Sequence, residues 1–293
     1  MSSTAKEPTF PPEKRPDDPE QRSLLGIYDQ RQEGLHMQRI KVHRGHLSPG
    51  QFRALAELTR EYTPNYPLHV TTRQDIQLHG VKPGDVPAVQ EGIRDAGLTT
   101  VGACGDSLRN VTTCPETGLR AGRPDVGGVA DAMREAGESM PFIRDMPRKF
   151  KMSVSCCGDM CAKPWINDLG LVARDDGTFR AIGAGSLGRR PATGIELYES
   201  IEPSEVVPLT VAALKFFNAE GNREKRYSAR WRHVRERMGD DAFLERLDEE
   251  FERDFSFAWA DDVEQTLRVG IEATDLADHL PAEWTFADLE VRW

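Results

Sequence analysis

Apolar and polar residues alternate through HMQRIKV at 36–42, the period-two pattern of a half-buried strand. The period then changes. Phe52, Leu55, Leu58 and Tyr62 recur at helical spacing behind Ser48, Pro49 and Gln51. Those three residues predict the helix start: serine as N-cap, proline in the first helical position, and Gln51 closing a capping box. Pro64 predicts its end. PLHVTT and DIQLHGV predict two short strands with Arg73 and Gln74 near their junction. PGDVPAVQEGIRDAGL predicts a second helix, with Asp85 as its cap and Gly97 as its stop. The order β-α-β-β-α predicts an α+β arrangement of a sheet covered by helices.

A second region begins near Val101 with GACGDSLRNVTTCPETG and a polar, Gly-rich stretch, followed by a predicted helix at 128–137. RKFKMSVSC, NDLGLVAR, FRAIGAG and GIELYES predict further strands. EPSEVVPLTVAALKFFNAEG predicts an amphipathic helix with Ser204 as its cap. A basic helical run at 222–238 reads as a solvated face, and an acidic helical run follows at 241–255. No internal repeat is visible.

Composition narrows the class. A chain of 293 residues accommodates about two domains at the usual ~100–200 residues each. The net charge of −10 repels nucleic acid and anionic membrane, so neither is expected as a partner. No run approaches the ~18 apolar residues of a membrane span. The Pro- and charge-rich N-terminus lacks the apolar core of a secretory signal and reads as a disordered arm. Five cysteines without a signal point to a reducing, cytoplasmic setting. The expected organisation is an arm at 1–25, one domain at 26–100, a second at 101–260, and at 261–293 an extension or the start of a further half.

Two sets of residues carry candidate chemistry. The first is cationic: Arg73, Arg109, Lys149 and Lys151. On a strand, Lys149 and Lys151 share a face, where like charges repel unless an anion lies between them. The readings are an anion-binding site or solvated surface cations. The second set is thiol. Cys157 and Cys161 form C-x3-C, and Cys104 and Cys114 complete four. Four thiolates suit an iron–sulfur cluster or tetrahedral zinc, and buried inert thiols are the alternative. Cys156 has no role in any of these. Gly183 and Gly185 in FRAIGAGSLG offer either backbone N–H groups to an anion or an ordinary turn.

TTRQDIQLHGV, ACGDSLRNVTTCP, MPRKFKMSVSCCGDMCAKPWINDLGLVA and FRAIGAGSLG together resemble the siroheme- and 4Fe–4S-dependent nitrite/sulfite reductases over roughly residues 26–255. The resemblance implies a ferredoxin-like half-domain followed by a mixed-sheet α+β reductase domain. It implies six-electron reduction of nitrite to ammonia or sulfite to sulfide, with ferredoxin as a plausible donor. By motif position, Arg73, Arg109, Lys149 and Lys151 would surround the substrate anion. Arg73, Gln74, Arg109, Asn110, Arg148, Gly183 and Gly185 would contact siroheme. The family has two homologous halves, and this chain is similar to the N-terminal one, whereas the cluster cysteines belong to the other. Leu108 stands where the partner of Cys114 would be. The thiols are then either a relic, with the cluster supplied by a second half or chain, or a site completed by Cys104. A precorrin-3B synthase-like enzyme and a non-catalytic tetrapyrrole- or zinc-binding half are the alternatives.

Overall fold

The computed structural model describes residues 19–119, 121–188 and 190–255. Most of the expected arm and all of the 261–293 extension lie outside the described residues. The chain forms two compact units that part between Ser107 and Leu108.

The first unit contains α1 (Pro19–Leu24), β1 (Ile27–Asp29), β2 (His36–Ile40), α2 (Pro49–Tyr62), β3 (His69–Val70), β4 (Ile76–Val81) and α3 (Val86–Asp95). The strands form one antiparallel sheet in the order β1-β2-β4-β3. The expected capping box forms in full. Ser48 Oγ accepts from the Gln51 N–H, and the Gln51 side chain accepts from the Ser48 N–H, an arrangement that stabilises a helix start by about 1 kcal/mol. Leu55 is buried with Ile40, Leu78, Val89 and Ile93. Phe52, in the first turn, remains 54% exposed, so the buried stripe begins one turn later than the periodicity predicts. Gly97 takes φ +71° and ends α3, with the Leu98 N–H returning to the Ile93 carbonyl. Asp85 makes no side-chain cap. The pattern also missed α1 and β1, short elements beside the charge-rich arm. Residues 101–107 stay with this unit because their backbone ties back to it: Gly102 N–H donates to the Leu24 carbonyl and Gly105 N–H to the Tyr28 hydroxyl.

The second unit contains β5 (Thr112–Thr113), α4 (Gly127–Glu138), β6 (Met152–Ser155), β7 (Leu169–Ala173), β8 (Phe179–Gly183), β9 (Ile195–Ile201), α5 (Val206–Glu220), α6 (Trp231–Met238) and α7 (Asp240–Phe255). Its mixed sheet runs β5-β6-β7-β8-β9, with β5, β6 and β7 parallel and the rest antiparallel. Every residue of β6 and β7 is buried, the pattern of a strand covered on both faces. An aromatic cluster closes the core. Trp231 lies 5.5 Å from Phe150, 5.7 Å from Phe216 and 5.0 Å from Phe243, centroid to centroid.

Two sequence expectations change here. Ser204 lies inside a 3₁₀ turn, Pro203–Glu205, whose capping box is made by Glu202 and Glu205. The basic run is not a solvated face: Arg230 and Arg232 are buried, and α6 begins only at Trp231. Among the described residues no helix is long and apolar enough to cross a membrane.

Candidate functional site

In the first unit, Arg73 and Gln74 sit on the tight turn between β3 and β4. The Thr71 N–H donates to the Asp75 carbonyl, the Gln74 N–H to the Thr71 carbonyl, and Thr71 Oγ1 accepts from the N–H groups of Arg73 and Asp75. Gln74 takes a left-handed conformation, φ +61°, within this turn. Beneath it, Asp75 is buried and accepts from the Val42 N–H. Burial pushes its carboxyl up to about 6, opposed by the Val42 N–H and by Arg73, Arg39 and Lys41.

That carboxyl binds its proton more tightly folded than unfolded. Its contribution to stability is therefore present at acid pH and lost as pH rises through about 6. Asp75→Asn keeps an acceptor for Val42 but does not titrate. Wild-type stability, measured by urea unfolding, should gain about 1 kcal/mol on the variant as pH falls from about 7 to about 5. An unchanged difference would contradict the burial cause.

In the second unit the sheet brings the other cations onto neighbouring segments. Leu108 bridges Phe150 in parallel, and the Arg109 N–H donates to the Phe150 carbonyl at 2.9 Å. Arg109 and Asn110 thus run beside Lys149 and Lys151 just before β5 and β6 begin. The two lysines do not lie within a regular strand, because β6 starts at Met152. Their alternation survives: Phe150 and Met152 are buried, while Arg148, Lys149 and Lys151 are half-buried. Arg109 is only 7% exposed and Asn110 only 1%. Cations withdrawn from water in this way are suited to an anionic partner.

The two candidate glycines lie where segments of the chain approach closely. A Cβ on Gly183 would lie 2.5 Å from the Leu197 side chain, and one on Gly185 would lie 2.1 Å from the Trp165 carbonyl oxygen. The Gly185 N–H already donates to the Asn167 carbonyl. These glycines let segments of the chain pack closely, and the Gly185 N–H is not available to an anion.

The thiols group differently from the expected set. Cys114 directly follows β5, and Cys156 and Cys157 directly follow β6, its parallel neighbour. The Cys114 N–H donates to the Val154 carbonyl. The thiols of Cys156 and Cys161 both interact with that of Cys114, and those of Cys156 and Cys157 with each other. Cys156, given no role by the sequence, therefore belongs to this group. Burial, reinforced by Cys114 and Cys157, pushes its thiol up to about 12, and burial and Cys114 also raise that of Cys161. Cys104 belongs to the first unit, where its carbonyl accepts from Ser107 Oγ. Among the described residues no three or more His, Cys, Asp or Glu side chains stand where they could hold a metal ion. The expected ligands Cys104, Cys114, Cys157 and Cys161 are not drawn together into such a group among the described residues.

Sequence reasoning missed two residues at the cation site. Asp168 is buried and binds both the Lys151 N–H and the Arg230 guanidinium. The available signal was the Asn167 and Asp168 pair standing directly before an unbroken apolar strand, where polar groups are buried only when satisfied.

The family model described as "Nitrite and sulphite reductase 4Fe-4S domain" matches residues 104–255, just over half of the chain. That described as "Nitrite/Sulfite reductase ferredoxin-like half domain" matches residues 28–96. An assimilatory ferredoxin-dependent nitrite reductase of Haloferax mediterranei is 32% identical, over 77% of this chain and 42% of that protein. A ferredoxin–nitrite reductase of Leptolyngbya laminosa is 29% identical, over 74% and 44%. The solved structure of the Mycobacterium tuberculosis NirA protein superposes with a TM-score of 0.68 at 24% identity, covering 79% of this chain and 46% of that one. Dissimilatory sulfite reductase I superposes at 0.63 with 12% identity, covering 73% of this chain and 69% of that one. The chain spans less than half the length of these two nitrite reductases.

Proposed function

The chain belongs to the nitrite/sulfite reductase family, and on that premise we propose that its cations bind siroheme and a small oxyanion, nitrite, for six-electron reduction to ammonia with electrons from ferredoxin. The observation that carries this reading is the parallel pairing of Leu108 with Phe150, which sets Arg109 and Asn110 beside Lys149 and Lys151. Nitrite and ferredoxin are taken from the names of the two relatives, and the whole reaction is proposed for the longer assembly of which this chain corresponds to one half.

The donor set suits siroheme, whose many carboxylates need basic partners; Arg148 belongs with the other cations in that role. When bound, siroheme supplies the iron that takes the anion and passes it electrons. This chain's residues hold the anion, orient it and feed it protons. Lys149, Lys151 and Arg109 offset the anion's charge and donate hydrogen bonds to its oxygens, so that each departing oxygen leaves as water. Arg73 is assigned the same role by its motif alone.

The test is to supply reduced ferredoxin to the siroheme-loaded protein and to measure ammonia formed from nitrite and sulfide formed from sulfite. Ammonia in excess supports nitrite as substrate; sulfide in excess would move the assignment to sulfite. Neither product from the longer assembly, with siroheme bound and reduced ferredoxin supplied, would overturn the catalytic reading. A parallel assay addresses the thiols. Cys157→Ser and Cys161→Ser should leave non-haem iron and acid-labile sulfide unchanged, whereas loss of iron in either variant would make them ligands.

A further inference from the structure

We infer that Asp168 and Arg230 are positioning residues that aim Lys151 at the anion, an inference that rests on the anion-binding reading above. The Asp168 carboxylate has no exposure to water, and the Arg230 side chain has 8%. Asp168 Oδ2 accepts from the Lys151 N–H at 2.8 Å and from Arg230 Nη2 at 2.7 Å, while Oδ1 accepts from Arg230 Nε at 3.2 Å. The other side of Lys151 is held as well. Its carbonyl accepts from the N–H groups of Asp168, at 3.0 Å, and Leu169, at 3.1 Å. Both peptide groups flanking Lys151 are therefore held by the Asp168–Leu169 segment, which fixes the backbone from which its side chain projects.

The arrangement is costly for a purely structural element. A buried ion pair seldom stabilises a fold more than apolar residues of the same volume would. What it supplies is direction: a bidentate guanidinium fixes the carboxylate plane, and the carboxylate fixes the amide. Each part is itself held. Arg230 stands at the N-cap of α6 and donates its N–H to His233 Nδ1 at 3.1 Å. Burial lowers the His233 pKa and favours the neutral ring that this bond requires. The adjacent Asn167 anchors the preceding loop, its Nδ2 donating to Ser153 Oγ at 3.1 Å and to the Lys163 carbonyl at 2.8 Å. On the sequence neighbour of Lys151, the Phe150 ring packs 5.5 Å from Trp231, the residue after Arg230. The ion pair and the aromatic core thus grip the same short segment from the same helix start.

The experiment uses the full chain as wild type, Asp168→Asn and Arg230→Lys, with two readouts. Amide hydrogen exchange at Lys151 needs no cofactor and should accelerate at least tenfold in Asp168→Asn, with protection along β7 retained. On siroheme-loaded protein, the nitrite concentration that half-saturates the absorbance shift should rise at least tenfold in Asp168→Asn. It should rise less in Arg230→Lys, which keeps the charge. Should Asp168→Asn not fold, Arg230→Lys carries both readouts alone. Unchanged exchange, or faster exchange with wild-type nitrite affinity, would overturn the inference and leave the pair a packing element. Wild-type protein that binds siroheme yet shows no nitrite shift would instead remove the anion-binding reading, and the inference with it.

Discussion

Phe150→Ala is expected to destabilise the second unit by about 3–5 kcal/mol, the range for removing a large aromatic side chain from a packed core. The ring is fully buried and lies 5.5 Å from both Phe217 and Trp231. Its chain neighbours are Lys149 and Lys151, and its carbonyl accepts from the Arg109 N–H. The same ring that fills the core therefore anchors three of the proposed anion-binding cations. Urea unfolding followed by tryptophan fluorescence should show the loss, and nitrite affinity should fall with it under conditions where the variant is still folded. A cost below about 1 kcal/mol would mean that the cavity collapses freely and that Phe150 does not hold the segment.

Lys149→Met and Lys151→Met should each lower turnover by about a hundredfold or more, the scale seen when one donor to developing oxyanion charge is removed. Methionine keeps much of the side chain's length and packing while deleting the charge and the donors. Siroheme content, read from absorbance, should stay at the wild-type level because Arg109 and Arg148 remain. Wild-type turnover in either variant would remove that lysine from the anion site. Loss of siroheme together with turnover would reassign it from the substrate to the cofactor.

Local signals in the sequence were legible where one short segment determined the outcome. Ser48, Pro49 and Gln51 fixed the start of α2 because a capping box needs only neighbours in the chain. Gly97 ended α3 for a similar reason: the residue there takes a positive φ. The alternation around Phe150 placed two lysines on one side of the chain, although the strand itself begins two residues later. The motifs also pointed to the family, and both family models match the chain.

Relations between distant segments were not legible. Arg230 looked like one cation in a solvated basic run, yet it pairs with Asp168, 62 residues away in sequence. Cys156 looked idle beside C-x3-C, but the parallel pairing of β5 with β6 brings Cys114 to it. Gly183 and Gly185 resembled an anion loop because glycine permits any close approach; here the approaching groups are Leu197 and Trp165. In each case the deciding partner comes from another element, and no spacing rule within the segment names it.

We propose for this chain a siroheme and oxyanion site built on Arg109, Lys149 and Lys151. The most direct measurement is the absorbance spectrum of the anaerobically reconstituted chain with siroheme, titrated with nitrite. Stoichiometric siroheme bands and a saturable shift with nitrite are expected, the shift being lost in Lys149→Met and Lys151→Met. A chain that remains colourless, or one whose bands do not respond to nitrite, would contradict the proposal.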